Sequence, residues 1–280
     1  SDLCASCSCC FLEKNEIGRL DSGYEVYYTF IPMKVSSVAV TKSLVTDGDR
    51  ELTPDELIVY EARVSNPSNQ HNHETGPGLL NFCMREGHWS VFDQADLTVE
   101  IETSISISMQ IIRHWSARFQ QFSQRYSDVR KLETIIEPVR LRKKAAGGNR
   151  QGSGEEIAEQ DVLQMVYNNA IAKAVSAYAT LIEGGIAPES ARFVLPLATK
   201  TRMFMKGSAR TWIHYLDQRT SPHAQKEHRE VAEAIRAEFQ KHFPTVHEAM
   251  ALRVSEVDSL KQEIERLKQE LNNLKKGTAE

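Results

Sequence analysis

The chain has 280 residues, 41% of them hydrophobic and 26% charged, with a net charge of −4. That length buries a sizeable core without disulfide or metal staples, and the slight acidity excludes a globally basic nucleic-acid binder, although local basic clusters can still hold phosphates. No apolar run reaches the roughly 20 residues that span a bilayer, and the N-terminus lacks the basic-then-apolar order of a signal peptide, so the expectation is a soluble cytoplasmic protein with no nucleic-acid and no membrane partner.

Four of the five cysteines, Cys4, Cys7, Cys9 and Cys10, fall in the first ten residues. Such a cluster has the chemistry to hold zinc. No His or Cys follows closely enough to complete an obvious finger, so a disordered, reducible tail over residues 1–22 is the expected reading, and no metal centre is assigned. β-branched and aromatic runs within 24–46 predict strands. Thr53 followed by Pro54 predicts a helix start, with the helix running to about Val64. The polar segment 66–78 predicts a loop, and a short helix follows from Leu79 to about Glu86. Residues 95–102 alternate and predict a strand with one buried face. Residues 104–115 read as a helix with Ile105, Met109 and Ile112 on one face, 145–155 as a flexible loop, and 155–182 as a long helix. A short helix over 188–194 is stopped by Pro196, and 197–206 reads as a strand. Ser208 then caps a helix carrying Arg210 and His214, and another helix starts near Pro222.

At the C-terminus, Val257, Leu260, Ile264, Leu267, Leu271 and Leu274 repeat as an a/d heptad seam. Its shortness leaves open a marginal coiled coil or one amphipathic helix packed on its own subunit. Together these elements predict a mixed α/β (α+β) fold, with a central β-sheet flanked by helices and a C-terminal helical or coiled-coil extension. The expected division is a Cys-rich tail over 1–22, one main folded domain over 23–252 and a heptad helix over 253–280.

The most informative stretch is 110–127, QIIRHWSARFQQFSQRYS, which holds Arg113, His114, Arg118, Ser123, Arg125 and Tyr126 among four amides. Phosphate binding needs cations with hydroxyl donors, and a pyrimidine edge needs paired donors and acceptors; this stretch offers both, though a charged helix end is more often only solvated. A second constellation comprises Arg192, Arg202, Arg210, His214, Arg219 and His223. Arg210 and His214 are four apart, as are Arg219 and His223, so each pair shares a face wherever the chain is helical. Apolar neighbours (Val194, Leu195, Trp212, Leu216) place some of this charge near a core, where unpartnered cations are costly. An anionic ligand would offset that cost, and so would ion pairs with Asp217, Glu227 and Glu230.

The stretch from Arg113 to Ser123 resembles the signature of the flavin-dependent thymidylate synthases: Arg-His-Arg, seven residues, then Ser. Here it reads Arg113-His114-Trp115, seven residues, then Ser123, continuing Gln124-Arg125-Tyr126-Ser127. EARVS at 61–65, GHWSVFD at 87–93, ARFVLPL at 191–197 and the run from Ser208 to Gln225 resemble further family segments in the same order, so the likeness covers roughly residues 34–250. The resemblance implies that thymidylate is made from deoxyuridylate (dUMP), with 5,10-methylenetetrahydrofolate supplying the carbon and FAD, reduced by NADPH, supplying the hydride. It implies a homotetramer whose active sites are shared between subunits. Carried over by position, Ser65, His88, Ser90, Arg113, His114, Ser208, Arg210, His214 and His223 lie near the flavin. Gln110, Gln121, Ser123, Arg125, Tyr126, Arg192 and Arg219 hold the nucleotide. The family residue matching Arg219 is the catalytic one, polarising the pyrimidine so that C5 becomes nucleophilic.

Cys83, the only cysteine outside the tail, reads as a buried structural residue. That suits a mechanism without the cysteine nucleophile of the better-known thymidylate synthases. The chain departs from the family pattern at Trp115, usually Arg, and at Gln121, usually Glu, a pair that together removes one charge of each sign. Ser208 and His214 stand where the family often has Asn. Two other functions follow from these departures: the same fold with altered chemistry (pyrimidine hydroxymethylation, or action on cytidylate or uridylate), or a non-catalytic oligomer that binds flavin or nucleotide.

Overall fold

The computed structural model describes residues 33–132, 134–146 and 152–277, with side chains as far as residue 270. The cysteine tail, the expected strand run at 24–32, the middle of the 145–155 segment and the side chains of Leu271 and Leu274 lie outside the described residues. In chain order the elements are β1 (Lys34–Val40), β2 (Thr46–Asp47), β3 (Arg50–Glu51), α1 (Pro54–Ala62), α2 (Gly76–Arg85), β4 (Asp96–Ser104), α3 (Ile105–Ile111) and β5 (Arg118–Gln121). They continue as β6 (Arg142–Lys144), β7 (Ser153–Glu156), α4 (Val162–Glu183), α5 (Pro188–Ala191), β8 (Lys200–Ser208), α6 (Ala209–Arg219), α7 (Lys226–His242) and α8 (Pro244–Gly277). The fold is mixed α/β. One sheet has the order β1-β4-β8-β5, and β2–β3 and β6–β7 form separate two-stranded sheets. The chain divides into two compact units. The first holds Glu100–Met205 and Arg219–Ala234 with the described residues up to Ser36; the second holds Ser37–Val99, Lys206–Gln218 and Ile235 onward.

In the second unit, α1 begins where Thr53 and Pro54 predict. Thr53 Oγ1 accepts from the Glu56 amide at 3.2 Å while the Thr53 amide donates to Glu56 Oε2 at 2.9 Å, a complete capping box. Arg50 grips the same carboxylate with both terminal nitrogens, at 2.6 and 2.9 Å, and these hydrogen bonds hold Glu56 down to about 2. The core of this unit is aromatic. Trp212 is buried, its indole N–H shared between the carbonyls of Gly207 at 3.0 Å and Leu97 at 3.2 Å, and Phe239 stacks on Phe243 at 4.9 Å. α8 packs along α2, and the approach requires Gly76: a Cβ there would meet Thr245 Cγ2 at 2.9 Å. The buried Asp55 carboxylate accepts from the amides of Thr245 at 2.7 Å and Val246 at 3.1 Å, so a side chain of α1 caps the first turn of α8. α8 runs unbroken through the heptad segment, and Val257, Leu260, Ile264 and Leu267 are exposed along it. The described part of the seam, from Val257 to Leu267, is therefore not packed against its own subunit.

The predicted strand at 95–102 appears as β4, with alternate residues buried. Two smaller cores lie under α4. One gathers Ile136, Ile171, Val175 and Ala198; the other gathers Val129, Tyr178 and Ala191. Three sequence expectations are corrected. In α3 the buried residues are Ile107, Ser108 and Ile111, while Met109 and Ile112 are exposed. The helix has seven residues, too few for periodicity to fix its face, and Ser108 reaches the buried side by donating to the Ile105 carbonyl at 2.9 Å. The arms of the 145–155 segment are not loop throughout: Ser153–Glu156 pairs with Arg142–Lys144, in register Arg142↔Glu156. The long helix starts at Val162 rather than residue 155, because Asp161 caps it by accepting from the Leu163 amide at 2.8 Å. Among the described residues, no helix is long and apolar enough to cross a membrane.

The capping role of Asp55 is testable. Asp55→Ala leaves two amides of α8 buried without an acceptor, and losing a cap of this kind costs about 1–2 kcal/mol. Urea denaturation should show a lower midpoint at an unchanged m-value. An unchanged midpoint would mean that the Thr245 and Val246 amides find another acceptor.

Candidate functional site

The first unit brings together three of the residues singled out in the sequence: Gln110 on α3, His114 just beyond it, and Arg219 at the end of α6. Arg219 Nε donates to His114 Nε2 at 2.9 Å, and His114 is buried. Gln110 is held at both ends. Its Oε1 accepts from His228 Nδ1 at 3.2 Å and its Nε2 donates to Gln225 Oε1 at 2.7 Å. His228, on α7, is fully buried and is pushed down to about 3, first by burial and then by the nearby charges of Arg219 and His114. Gln225 donates in turn to Glu227 Oε2 at 2.9 Å. Glu227 is already gripped by Arg142 with two bonds of 2.6 and 2.9 Å, whose pull holds its carboxyl below the usual range in spite of partial burial.

The remaining residues of the first unit do not join this cluster. Gln121 donates both amide hydrogens inward, to the hydroxyls of Ser108 and Thr201, each at 3.0 Å. Ser123 Oγ accepts from the Arg125 amide at 3.4 Å, and the Arg125 guanidinium pairs with Glu189 at 3.1 Å on the surface. Arg192 sits 5.8 Å over the ring of its neighbour Phe193. Tyr126 and Arg113 are exposed. His223 lies in the turn after α6, so it and Arg219 do not share a helical face as their spacing suggested. The acids weighed as partners for these cations are engaged elsewhere: Asp217 with Arg253, Glu227 with Arg142, and Glu230 with Lys226 at 4.0 Å.

The second unit carries Ser65, His88, Ser90, Ser208, Arg210 and His214. Asp93 joins two of them, accepting from Ser208 Oγ at 2.8 Å and from Arg210 at 3.0 Å. His214, on the same face of α6 as Arg210, meets the Gln218 amide at 3.0 Å. His88 lies edge-on to Phe82 at 6.0 Å. Ser90 lines a cavity of about 380 Å³ whose wall also includes Tyr60, Val64, next to Ser65, and Glu61. That volume falls within the range of small-molecule sites. Burial raises the Glu61 carboxyl, and its Oε2 is shielded from solvent with no hydrogen-bond partner. The wall is mixed, with the orphaned acceptor, two side-chain amides (Gln70 and Gln94) and two hydroxyls (Tyr60 and Ser90) beside Val64 and Val91, so it can hydrogen-bond a small polar ligand.

Sequence reasoning missed Asp93, Gln225 and His228, and weighed Glu227 only as an ion-pair partner. Asp93 was within reach, as the acid closing the GHWSVFD segment. His228 left no trace, because it lies in a helix whose pattern is dominated by charge.

Burial of His228 gives a pH dependence. The unfolded histidine titrates near 6.5 and the folded one near 3, so below about pH 6.5 the unfolded chain takes up a proton that the folded chain does not. This group's share of stability is present above that pH and is lost as the pH falls towards 3, at up to about 1.4 kcal/mol per pH unit. His228→Gln should flatten the decline of melting temperature between about pH 6.5 and 4. An equally steep decline would assign the acid sensitivity to other groups.

The family profile described as "Thymidylate synthase complementing protein" matches residues 49–245. The chain is 45% identical over 223 residues to a flavin-dependent thymidylate synthase of Synechocystis sp., covering 78% of this chain and 99% of that protein. It is 41% identical over 220 residues to a probable flavin-dependent thymidylate synthase of Paramecium bursaria Chlorella virus 1, with the same coverage of 78% and 99%. Among solved structures it is similar to a UMP/dUMP methylase from Streptomyces cacaoi bound with 5-Br dUMP, with a TM-score of 0.66 and 27% identity over 79% of this chain and 95% of that one. With matches that span its motifs in order and nearly the full length of both relatives, the chain belongs to the flavin-dependent thymidylate synthase family.

Proposed function

We propose that this chain methylates C5 of deoxyuridylate to give thymidylate, taking the carbon from methylenetetrahydrofolate, and that it does so in the cytoplasm. Bound FAD, once reduced by NADPH, supplies the hydride that completes the methyl group. The observation that carries the reading is the setting of Arg219. Its guanidinium donates to an imidazole, and among the described residues it has no carboxylate partner. A fixed charge left uncompensated in this way is suited to a pyrimidine oxygen on which negative charge develops, which makes C5 nucleophilic without a protein nucleophile. Cys83 agrees with that mechanism: it is buried, and burial raises its thiol, which disfavours the thiolate.

In this reading Gln110, Gln121, Ser123, Arg125, Tyr126, Arg192 and Arg219 hold the nucleotide. Gln121 spends both its hydrogens on Ser108 and Thr201, so it offers the base an acceptor only. Ser65, His88, Ser90, Arg113, His114, Ser208, Arg210, His214 and His223 serve the flavin. Asp93 holds Ser208 and Arg210 in place for it. Uridylate is the second candidate substrate, since the similar solved structures include the same UMP/dUMP methylase bound with 5-Br UMP. Mass analysis of products from dUMP and UMP, each with FAD, NADPH and methylenetetrahydrofolate, decides between them. No methylated product from either would overturn the reading.

Arg219→Ala should abolish turnover while flavin absorbance stays. The lost charge-assisted hydrogen bond costs about 1.5–3 kcal/mol in nucleotide binding, and the lost polarisation roughly 2.7–4 kcal/mol more in the transition state. Arg219→Lys should rescue poorly, because an ammonium does not copy a planar fork. Loss of flavin together with turnover would move Arg219 to the cofactor's site.

We also propose a homotetramer. Val162, Leu163, Met165 and Val166 at the start of α4 are exposed in the single chain, as are Trp115 and Phe193 at 87% and 84%. Apolar surface on that scale is suited to partner subunits. The C-terminal seam is short and should add to this assembly rather than create it. Light scattering on a chain ending at Val254 should therefore still show a tetramer; a monomer would mean that the heptad helix holds the subunits together.

A further inference from the structure

Three side chains of the second unit, none of them in the set assigned to flavin or nucleotide, converge from two separate stretches of sequence. Asp47 ends β2, where Gly48, at φ +60°, opens the tight turn of the β2–β3 hairpin. His71 and His73 stand in the polar segment before α2. One ligand-capable atom from each of the three lies within 4.8 Å of those of the other two. His71 Nδ1 is 3.7 Å from Asp47 Oδ1, and the His71 ring rests edge-on against Tyr60 at 5.2 Å. Both ring nitrogens of His73 are shielded from solvent and have no hydrogen-bond partner. An imidazole buried in that state leaves an N–H and a lone pair unmet, which is uncommon in folded proteins and calls for a ligand.

We propose that Asp47, His71 and His73 form a binding site for a divalent transition metal of the zinc type. Two imidazoles and one carboxylate are the donor set that zinc favours, with a fourth position left for water. Magnesium and calcium, which prefer oxygen ligands, suit it less. Metal–ligand bonds of about 2.0–2.2 Å need the three atoms closer than they now stand. Asp47 and His71 are each about half exposed, so a change of side-chain rotamer at either would close that distance. Glu56 is near enough to His73 to feel its charge, but Arg50 and the Thr53 amide already occupy its oxygens, so it is not counted as a ligand. The metal would staple the β2–β3 hairpin to the segment before α2. That segment carries Gln70 which, with Tyr60, lines the 380 Å³ cavity. The staple would therefore stiffen one wall of the cavity lined by Ser90, a residue that the proposed function gives to the flavin.

The test uses the full chain with Cys4, Cys7, Cys9 and Cys10 replaced by serine, so that tail thiols cannot report as the site. After chelator treatment, zinc is added and measured by titration calorimetry and elemental analysis. The expected result is one zinc per chain with a dissociation constant in the micromolar range or tighter, and a higher melting temperature. His71→Ala, an exposed position, and His73→Ala should each lose the zinc and the thermal shift while keeping the circular dichroism of the fold. Three results would overturn the proposal: no zinc bound, zinc bound only when the cysteines are present, or zinc bound equally by both histidine variants. None of these readouts uses the flavin, so failure here leaves the catalytic reading untouched, and the reverse holds.

Discussion

Arg219 directs its Nε at a buried imidazole rather than at a carboxylate, and its surroundings are built to make that tolerable. A hydrogen bond from a guanidinium requires an accepting nitrogen, so His114 Nε2 carries no proton. His228, fully buried beside them, stays neutral because burial and the same guanidinium push its titration down to about 3. Neutral His228 donates from Nδ1, and that fixes which end of Gln110 faces it: the carbonyl accepts from the ring and the amide is turned to Gln225. The nearest acid in the chain of bonds, Glu227, is committed to Arg142. The positive charge of Arg219, half-buried beside His114, therefore has no carboxylate partner among the described residues. The proposed function sets the pyrimidine against that charge.

The second unit solves a different problem, that of presenting polar groups from the start of a helix whose other face is core. At the junction of β8 and α6, Ser208 donates to Asp93 and accepts from the Thr211 amide at 3.4 Å, so one hydroxyl serves both the helix end and the acid. Trp212 anchors the inner face by donating to Gly207 and Leu97. Gly207 itself has no room for a side chain, since a Cβ would come within 2.6 Å of Thr211 Cγ2. With the inner face pinned, the helical period sends Arg210 and His214 outward together. Asp93 then orients Arg210 at 3.0 Å. The presentation of these groups thus depends on a glycine and a tryptophan that have no polar role themselves.

Local chemistry was the legible part. The Thr53–Pro54 start, the alternation in β4, the Ser208 cap and the Arg210/His214 face all rest on interactions a few residues apart, and each is found. What was not legible depends on contacts between distant segments. The buried face of α3 is chosen by packing and by Ser108 bonding backwards, which the apolar pattern of Ile105, Met109 and Ile112 cannot show. The 145–155 segment has loop composition, yet its last residues, from Ser153, form a strand that pairs with Arg142–Lys144, where Arg142 Nε donates to Ser153 Oγ at 2.7 Å. Of the candidate site, Gln110, His114 and Arg219 were named through family likeness and lie together. His228, which orients Gln110 from 118 residues away, sits in a helix where nothing local distinguishes it.

The two departures from the family signature, Trp115 and Gln121, look in the sequence like a compensating pair of lost charges. Their surroundings argue otherwise. Gln121 donates to the Ser108 and Thr201 hydroxyls, and Ser108 in turn donates to the Ile105 carbonyl. A carboxylate at 121 could accept from Ser108 only if that hydroxyl gave up its bond to α3. The amide is therefore the group that fits this neighbourhood, and its partner in the exchange is Ser108. Trp115 is 87% exposed in the single chain and shares none of these contacts. Arg118, the cation nearest in sequence that could stand in for the missing arginine, turns its guanidinium back to the carbonyls of Trp115 at 3.3 Å and Ala117 at 3.1 Å. Sites without shared partners act additively. The change at 121 thus belongs to the packing of α3 against β5 and β8, and the change at 115 belongs to the exposed surface of the chain.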